Sequence, residues 1–365
     1  MSESKCDVAA YIWPSYSGND LRARTFWPEG IGEWQSVHSA VKKFPEHNWP
    51  RKPLWGYVNE ADPYVMEMEI EAAADHAVNV FIYDWYWYDR RPFLEDCLND
   101  GYLKARNNGK VKFYLMWANH TVNNLWDKRI SNLHNMIWDG ALDRKEFEVI
   151  GGRWIERYFS HPSYYRIDGK PVLMIYDLNN LIRGLDGLDN TCSALDWLRD
   201  KCAGAGLGGL HLQAVMCGER THSLPGGGET STREVVEKLG FDSTTNYQMV
   251  SYTNPDRDYL EILPDVQKEW DRIAASYSTT YYPHVSVGWD TNPRFNDFVA
   301  GVVKNNTPAN FEKALRMAKD YVDSHNVKPP LITLNSWNEW TETSYLQPDD
   351  LYGYGYLEAV KKVFG

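Results

Sequence analysis

The 365-residue sequence has few cysteines and no long hydrophobic run, and each shortage excludes a class of protein. Its five cysteines are odd in number and scattered, and no Cys-x-x-Cys pair occurs. A disulfide framework and a cysteine-based zinc site are therefore excluded, and we expect free thiols. No stretch approaches the ~18 apolar residues that a transmembrane helix needs, so we expect no membrane partner.

Positive charge is also scarce, since 38 lysines and arginines face 50 aspartates and glutamates, a net charge of −12. With no basic run in the chain, this balance argues against nucleic acid or an anionic membrane as a partner. The polar start, residues 1–5, leads directly into an apolar segment, so we expect no signal peptide. The compartment stays open, because a chain whose signal had been removed would begin in the same way.

Several catalytic motifs are missing as well. No His-Glu-x-x-His occurs and the ten histidines are dispersed, so we expect no metal. No Gly-x-Ser-x-Gly elbow supports a serine nucleophile. The glycine-rich run 204–209 precedes a strand, whereas a phosphate-binding loop follows one, so we also expect no nucleotide cofactor.

Eight short apolar runs alternate with helical patterns, which predicts an α/β fold, a single (β/α)8 barrel over residues 1–365. A doubly wound sheet is the alternative, but no glycine-rich turn follows the first strand. Long insertions at 14–60, 120–140 and 291–306 would lie on the C-terminal face of the barrel, where such enzymes build their sites. The predicted strands are 8–13, 78–85, 111–119, 171–177, 210–217, 241–247, 282–290 and 331–339. The predicted helices are 64–77, 142–159, 194–203, 232–239, 259–275, 310–322 and 354–363.

Aromatic residues are abundant, with 16 Trp and 24 Tyr, and they cluster with Asp, Asn and Glu where the predicted strands end. Sugar rings stack on aromatic faces while carboxylates and amides bind their hydroxyls, so this mixture predicts a carbohydrate site. The structural alternative is that each aromatic residue only caps the barrel core. The candidate substrate-binding residues are Trp13, Asp84, Trp85, Trp117, Asn119, Tyr176, Tyr247, Trp289, Asp290, Asn335 and Trp337.

Glu339 and Glu342 are the candidate catalytic pair. Their i, i+3 spacing just past the last strand places both carboxylates on one side of a turn. Two carboxylates in an aromatic, partly dry pocket titrate apart, one as a base and one as an acid, which is what glycosidic cleavage needs. An acidic cluster at a helix start is the alternative, but the flanking Trp337 and Trp340 favour a functional site.

The segment 335–342, with its Asn-Glu-Trp-x-Glu element, resembles the C-terminal signature of the WbsX-like proteins, which are related to glycoside hydrolase family 99, the endo-α-mannosidases. The resemblance extends to 345–358, to Gly-Glu-Trp at 32–34, to 83–87, 117–119 and 166–171, and to 285–294, and so spans nearly the whole chain. The chain departs from family 99 at 340–342, where Trp-Thr-Glu replaces a His-Glu-Gly run.

The resemblance implies a retaining mechanism on an α-linked glycan and adds Glu33 to the expected substrate-binding residues. By this resemblance Glu339 would deprotonate the substrate 2-hydroxyl, which attacks C1 to give a 1,2-anhydro sugar. Glu342 would protonate the leaving oxygen and later deprotonate a water. Two alternatives stay open, a glycosyltransferase of polysaccharide synthesis and a glycan-binding barrel without turnover. In each case the expected partner is an oligosaccharide or polysaccharide.

Overall fold

The computed structural model describes residues 5–123, 126–130 and 135–365. Nine parallel strands form one curled sheet, in the order β7-β6-β5-β4-β3-β2-β1-β9-β8. Two short antiparallel strands, Arg91–Phe93 and Arg166–Ile167, extend it beside β2 and β4. The nine strands are β1 Asp7–Ile12, β2 Val80–Tyr88, β3 Lys112–Trp117, β4 Lys170–Ile175, β5 His211–Met216, β6 Ser243–Asn246, β7 Thr280–Tyr281, β8 His284–Ser286 and β9 Leu331–Asn335.

The strands are near-continuous apolar runs because both faces of the sheet are covered. All nine residues of β2 are buried, and β3 is exposed only at its first residue. Each predicted strand corresponds to an observed one, and most ends differ by a few residues. The alternation of side chains along each strand then sends one set towards the inside of the curl and the other towards the surrounding helices.

The predicted seventh strand, 282–290, differs most from the structure. In its place β7 and β8 are separated by Tyr282 and Pro283; β7 pairs with β6 and β8 pairs with β9. The Tyr282 N–H donates to the Thr244 carbonyl (2.9 Å), and the Thr333 N–H donates to the Pro283 carbonyl (3.1 Å). Proline has no N–H to donate and interrupts the regular ladder. The two ends of the curled sheet are therefore adjacent in the chain.

Helices cover the outer face of the sheet. Asp62 caps α2 and Thr307 caps α8, since each side chain accepts a hydrogen bond from a backbone N–H of the first turn. The helix predicted over 194–203 begins earlier, at Leu188, and the one predicted over 142–159 ends in a π-helical turn, Ile155–Phe159. The α-helices of the described residues are α1 Trp34–His38, α2 Pro63–Asp75, α3 Arg144–Trp154, α4 Leu178–Gly184, α5 Leu188–Gly204, α6 Thr232–Lys238, α7 Tyr259–Ser276, α8 Pro308–Ser324 and α9 Gly355–Phe364.

The cysteines agree with the free thiols expected from the sequence. All five cysteines are unpaired. No helix in the part of the chain that the structure describes is both long and apolar enough to cross a bilayer.

The first insertion is folded tightly against the end of β1, and Gly32 makes this possible. Gly32 has φ +61°, and a Cβ at this position would lie 1.8 Å from the Ser15 carbonyl oxygen. The next residue, Glu33, donates its N–H to that same carbonyl (3.1 Å) and is fully buried ahead of α1. A side chain at Gly32 would push this contact apart, so the glycine fixes where the Glu33 carboxylate lies.

We expect Gly32→Ala to lower the free energy of unfolding by about 3 kcal/mol, the sum of a left-handed backbone and a backbone clash. Gly56→Ala is the matched control, since Gly56 has φ +78° and open space around its Cα. That variant should lose only about 1 kcal/mol. Urea denaturation of both variants measures the difference, and equal losses would show that the contact with Ser15 is unimportant.

Candidate active site

A cavity of about 420 Å³ opens at the carboxyl ends of the strands. Strand ends supply part of its wall, with Trp13 after β1, Asp84 and Tyr86 on β2, and Tyr176 after β4. The second and third insertions supply much of the rest, as their predicted place on this face requires. The remaining lining residues are Met116, Ala118, His120, Thr121, Trp126, Lys128, Tyr247, Trp289, Thr291, Arg294, Phe295, Glu339 and Glu342.

One guanidinium joins the two predicted catalytic glutamates. Arg294 donates from Nη2 to Glu339 Oε1 (2.7 Å) and from Nη1 to Glu342 Oε1 (2.8 Å). The fork of the guanidinium thus holds the two carboxylates side by side. Arg294 lies on a short 3-10 turn in the third insertion, and Trp340–Glu342 forms a similar turn, so both partners rest on compact backbone. Arg294 is only 8% exposed.

Glu33 completes the set of acids around Arg294. Its Oε1 lies 3.6 Å from Arg294 Nε and accepts a hydrogen bond from the Thr341 hydroxyl (2.8 Å). Its Oε2 accepts one from the Trp13 indole N–H (2.5 Å). Glu33 therefore lies beneath the cavity wall, where it holds Trp13 and Arg294 in place. It does not line the cavity, so its predicted role as a direct substrate ligand is not supported by its position.

Tyr247 lies between Asp84 and Glu339, next to the Glu339 oxygen that Arg294 does not contact. The Tyr247 hydroxyl lies 3.2 Å from Asp84 Oδ2 and 3.3 Å from Glu339 Oε2. A single hydroxyl thereby connects the end of β2 with the residues after β9. Tyr176 packs edge-on against the Tyr247 ring, with centroids 5.4 Å apart, and keeps it in this orientation.

Among the acids that line the cavity, two buried carboxylate oxygens accept no hydrogen bond from any described residue, Glu342 Oε2 and Asp84 Oδ1. Buried polar atoms in proteins are nearly always paired, so unpaired ones at a cavity call for a functional reason. Such an oxygen can carry a proton, or it can accept a hydrogen bond from a ligand hydroxyl.

The carboxylates titrate above their ordinary range. Burial, then the charge of Glu342, raises the pKa of Glu339, and Arg294 opposes this. Burial likewise raises the pKa of Glu342, again against Arg294. Burial also raises the pKa of Asp84, and the hydrogen bond from Tyr247 works in the other direction. The site therefore retains protons on carboxyl groups at a pH where solvent-exposed glutamates are fully ionised.

Arg294 itself stays charged. Burial alone would lower its pKa, but the charges of Glu342, Glu33 and Glu339 outweigh burial and raise it. The site thus combines a permanently charged guanidinium with several carboxyl groups whose pKa values are raised. No group of three or more His, Cys, Asp or Glu within the described ranges is arranged to hold a metal ion.

Seven of the predicted site residues line this one cavity. They come from the ends of five different strands and from the turn after β9, so the fold brings together side chains that are far apart in sequence. These seven are Trp13, Asp84, Tyr176, Tyr247, Trp289, Glu339 and Glu342.

Three predicted aromatic residues point away from the cavity. The Trp85 indole donates to Glu95 Oε1 (2.7 Å), and Trp117 packs on Trp154 of α3. Trp337 donates to Glu69 Oε2 (2.7 Å) of α2. Neighbours one residue away along a strand face opposite sides, which places Trp85 and Trp117 between sheet and helices, and the bond to Glu69 places Trp337 there too. For these three residues the structural alternative, that strand-end aromatic residues belong to the core, is the one observed.

Three predicted polar residues are engaged elsewhere. Asn119 exchanges two hydrogen bonds with the backbone of Asp177 (both 2.8 Å), and Asn335 Oδ1 accepts from Gln248 (2.8 Å). The Asp290 carboxylate contacts His47 Nε2 at 2.7 Å and lines a different cavity. Their side chains hold loops in place and do not line this cavity.

Sequence reasoning missed several lining residues, above all Arg294, Tyr86, His120, Trp126 and Lys128. Tyr86 follows Asp84 by two and faces the same side of β2, so strand alternation pointed to it. Arg294 lies within the quoted stretch 285–294, but its partners are distant in sequence. His120, Trp126 and Lys128 belong to an irregular insertion, where no periodic pattern indicates direction.

Sequence comparison covers nearly the whole chain. A family model described as "Glycosyltransferase WbsX" matches residues 9–360. A curated protein described as "Uncharacterized protein WxcX", from each of two strains of Xanthomonas campestris pv. campestris, is 26% identical over 358 aligned residues. The alignment covers 92% of this chain and 46% of the relative, so the chain spans about half the length of the curated relatives it matches.

Solved structures share the fold at low sequence identity. The "GH99 endo-alpha-mannosidase" from Bacteroides thetaiotaomicron aligns with a TM-score of 0.63 at 13% identity, covering 98% of this chain and 96% of that one. A "Glycoside hydrolase-like protein" aligns with a TM-score of 0.61 at 15% identity, covering 100% and 95%. These likenesses concern the fold alone. The match over residues 9–360, together with the 335–342 signature at the cavity, shows that the chain belongs to the WbsX family.

Proposed function

We propose that this protein is a glycoside hydrolase that cleaves an α-linked glycan with net retention. The observation that carries the proposal is the Arg294 fork, which holds Glu339 and Glu342 together at an aromatic-lined cavity. A pair of carboxyl groups with raised pKa values beside a sugar-sized cavity suits the transfer of protons to and from glycosidic oxygens.

The architecture of the proposed enzyme is a closed (β/α)8 barrel that forms one domain over residues 1–365. In this proposal β7 and β8 are two halves of one strand, interrupted at Pro283. Support comes from the pairing of β7 with β6 and of β8 with β9, which leaves only two residues between the ends of the sheet. The alignment with the solved glycoside hydrolase-like structures supports the same conclusion.

The cavity wall is suited to sugar rings. Trp13, Trp126 and Trp289 offer apolar faces, and the free oxygens of Asp84 and Glu342 offer hydrogen-bond acceptors. Sugars combine apolar C–H faces with hydroxyl donors, and this wall matches both properties. The substrate-binding residues of the proposal are therefore Trp13, Asp84, Trp126, Tyr176, Tyr247 and Trp289.

The hydrogen bonds favour one assignment of the protons. The Tyr247 hydroxyl has one proton to donate, and in this proposal it goes to Glu339, whose other oxygen accepts from Arg294, so both oxygens of its ionised form are stabilised. Glu342 receives only the Arg294 bond, and its other oxygen is free. Glu342 therefore carries the shared proton and acts as the acid, while Glu339 acts as the base.

In the proposed first step, Glu339 takes the proton of the substrate 2-hydroxyl and O2 attacks C1. The C1–O bond to the leaving group breaks as Glu342 gives its proton to that oxygen, which leaves a 1,2-anhydro sugar. Water then attacks C1 and loses a proton to Glu342, while the C1–O2 bond breaks and O2 takes its proton back from Glu339. Two inversions at C1 give net retention, and both glutamates return to their starting states.

The family description favours a second candidate, transfer of a sugar to another glycan. The same two glutamates would serve, with a sugar hydroxyl in place of water as the attacking group. Product analysis with and without added acceptor glycan or nucleotide sugar distinguishes transfer from hydrolysis.

We expect Glu339→Gln and Glu342→Gln each to lower kcat by about 100- to 10,000-fold, because each removes a proton-transfer group. Sugar binding should persist in both variants, since the amide keeps the size of the acid and one oxygen that can accept from Arg294. Release of reducing ends from a panel of α-linked glycans measures the activity, and calorimetry with the same glycans measures binding.

Glu358→Gln is the matched control, because the Glu358 side chain is 63% exposed on α9. It should keep full activity. If the wild-type protein cleaves a glycan and the two active-site variants cleave it equally well, the assignment of the catalytic pair is wrong.

Participation of the 2-hydroxyl gives a separate prediction. A substrate that lacks this hydroxyl at the cleaved residue should bind but not be cleaved, because no nucleophile then reaches C1. The parent glycan should release a product that keeps its anomeric configuration, as followed by proton NMR during the first minutes of reaction. An inverted product, or cleavage of the 2-deoxy substrate at the parent rate, would contradict the mechanism.

Arg294 lowers the pKa of both glutamates, so its removal should move the activity profile. In Arg294→Met both limbs of the plot of log kcat/KM against pH should move to higher pH, since both carboxyls then lose their protons later. Arg294→Lys keeps the charge but not the fork, and should shift the limbs less while kcat falls. Arg316→Met on α8 is the control, and unchanged limbs in Arg294→Met would contradict this role.

A further inference from the structure

Lys128 is a cation in the wall of the candidate active-site cavity, and no described residue neutralises its charge. Its side chain is half-buried and forms no hydrogen bond or ion pair with any described residue. Its backbone is fixed, because the Lys128 N–H donates to the Arg294 carbonyl (2.9 Å). The backbone that carries the Lys128 side chain is therefore fixed at the cavity wall.

The acids near Lys128 are already engaged. Asp127 accepts from Arg129 Nη2 (2.8 Å) and from the Ser36 hydroxyl (2.9 Å). Glu339 and Glu342 are joined to Arg294, as described above. Burial, followed by the charge of Arg294, lowers the pKa of Lys128, so the main charge effect on this ammonium comes from another cation. An ammonium in this setting gains most from an anion supplied by the ligand.

We propose that Lys128 binds an anionic substituent of the substrate, so that the preferred glycan carries an acidic sugar beside the cleaved bond. The inference rests on the proposed function and adds the substrate class to it. A ring carboxylate of a uronic acid is the simplest such group. It pairs one negative charge with one ammonium while the ring itself stacks on the aromatic wall.

A diphosphate from a nucleotide sugar is a less suitable partner for the same lysine. A diphosphate carries at least two charges and is usually held by several cations or by a row of backbone N–H groups. Among the described lining residues only Arg294 and Lys128 are basic apart from His120, and Arg294 is occupied by glutamates. Burial lowers the pKa of His120, which keeps that imidazole neutral.

The test compares two glycans that differ only in charge, an α-linked oligogalacturonide and the matching galactose oligosaccharide. Calorimetry measures binding of each to the Glu342→Gln protein, which does not consume them, and to the same protein with Lys128→Met or Lys128→Arg. We expect the acidic glycan to bind about tenfold more tightly than the neutral one. Lys128→Met should remove that preference and Lys128→Arg should keep it, with neutral binding unchanged.

Salt and a control lysine complete the experiment. Raising the ionic strength should weaken acidic binding only where Lys128 is present, because the pair is partly exposed. Lys361→Met, on the exposed face of α9, should change nothing. Far-ultraviolet circular dichroism verifies that each variant is folded.

The outcomes separate this inference from the proposed function. If acidic and neutral glycans bind alike, or if Lys128→Met leaves acidic binding intact, Lys128 does not select charge and the inference is wrong, even where wild-type protein cleaves glycans. If the acidic glycan binds through Lys128 but no glycan is cleaved, the inference holds and hydrolysis fails. If Lys128→Met instead weakens only the binding of a nucleoside diphosphate, the anion belongs to a donor and the inference is overturned.

Discussion

The site depends on one guanidinium shared by three glutamates. Arg294 comes from the third insertion, Glu33 from the first, and Glu339 and Glu342 from the turns after β9. A buried charge left without its partner costs several kcal/mol, so these segments are stable only when they meet. The same contacts that close the loops over the strand ends therefore also set the spacing of the two carboxyl groups. The folding of these insertions and the geometry of the site are therefore set by the same contacts.

Two further buried acids, Glu60 and Glu69, hold the segment that carries Glu339. Asn338 donates to Glu60, Trp337 donates to Glu69, and the Gln347 amide donates to both acids. Burial raises the pKa of Glu69 to about 7. These contacts bind the backbone on either side of Glu339 to α2 and to the end of the first insertion. Residues 337–342 are thus divided between two tasks: Trp337 and Asn338 anchor the segment, while Glu339 and Glu342 face the cavity. The family signature at 335–342 therefore contains both anchoring residues and cavity-lining residues.

The limits of sequence reasoning follow from the same division. The apolar runs predicted every strand of the curled sheet except that one predicted strand is divided into β7 and β8, and the i, i+3 spacing indicated two glutamates that line the same cavity. Strand alternation was not applied at β2 and β3, where Asp84 and Tyr86 face the cavity and Trp85 and Trp117 face helices. Arg294 was not predicted as a site residue for a different reason. Nothing in its own neighbourhood marks it, since its role comes from acids that are 45, 48 and more than 200 positions away.

The family description speaks of sugar transfer, while the fold is shared with glycoside hydrolases, and the site reconciles the two. Breaking the bond at C1 requires an acid for the departing oxygen and a group that supports the new bond at C1. Restoring the sugar requires a base for whichever hydroxyl attacks next. On the proposed mechanism Glu342 performs both proton transfers, whether that hydroxyl belongs to water or to a second glycan. The two activities then differ only in what reaches C1 during the second step. That choice depends on the cavity wall, to which the 120–140 insertion contributes His120, Trp126 and Lys128, and not on the glutamates.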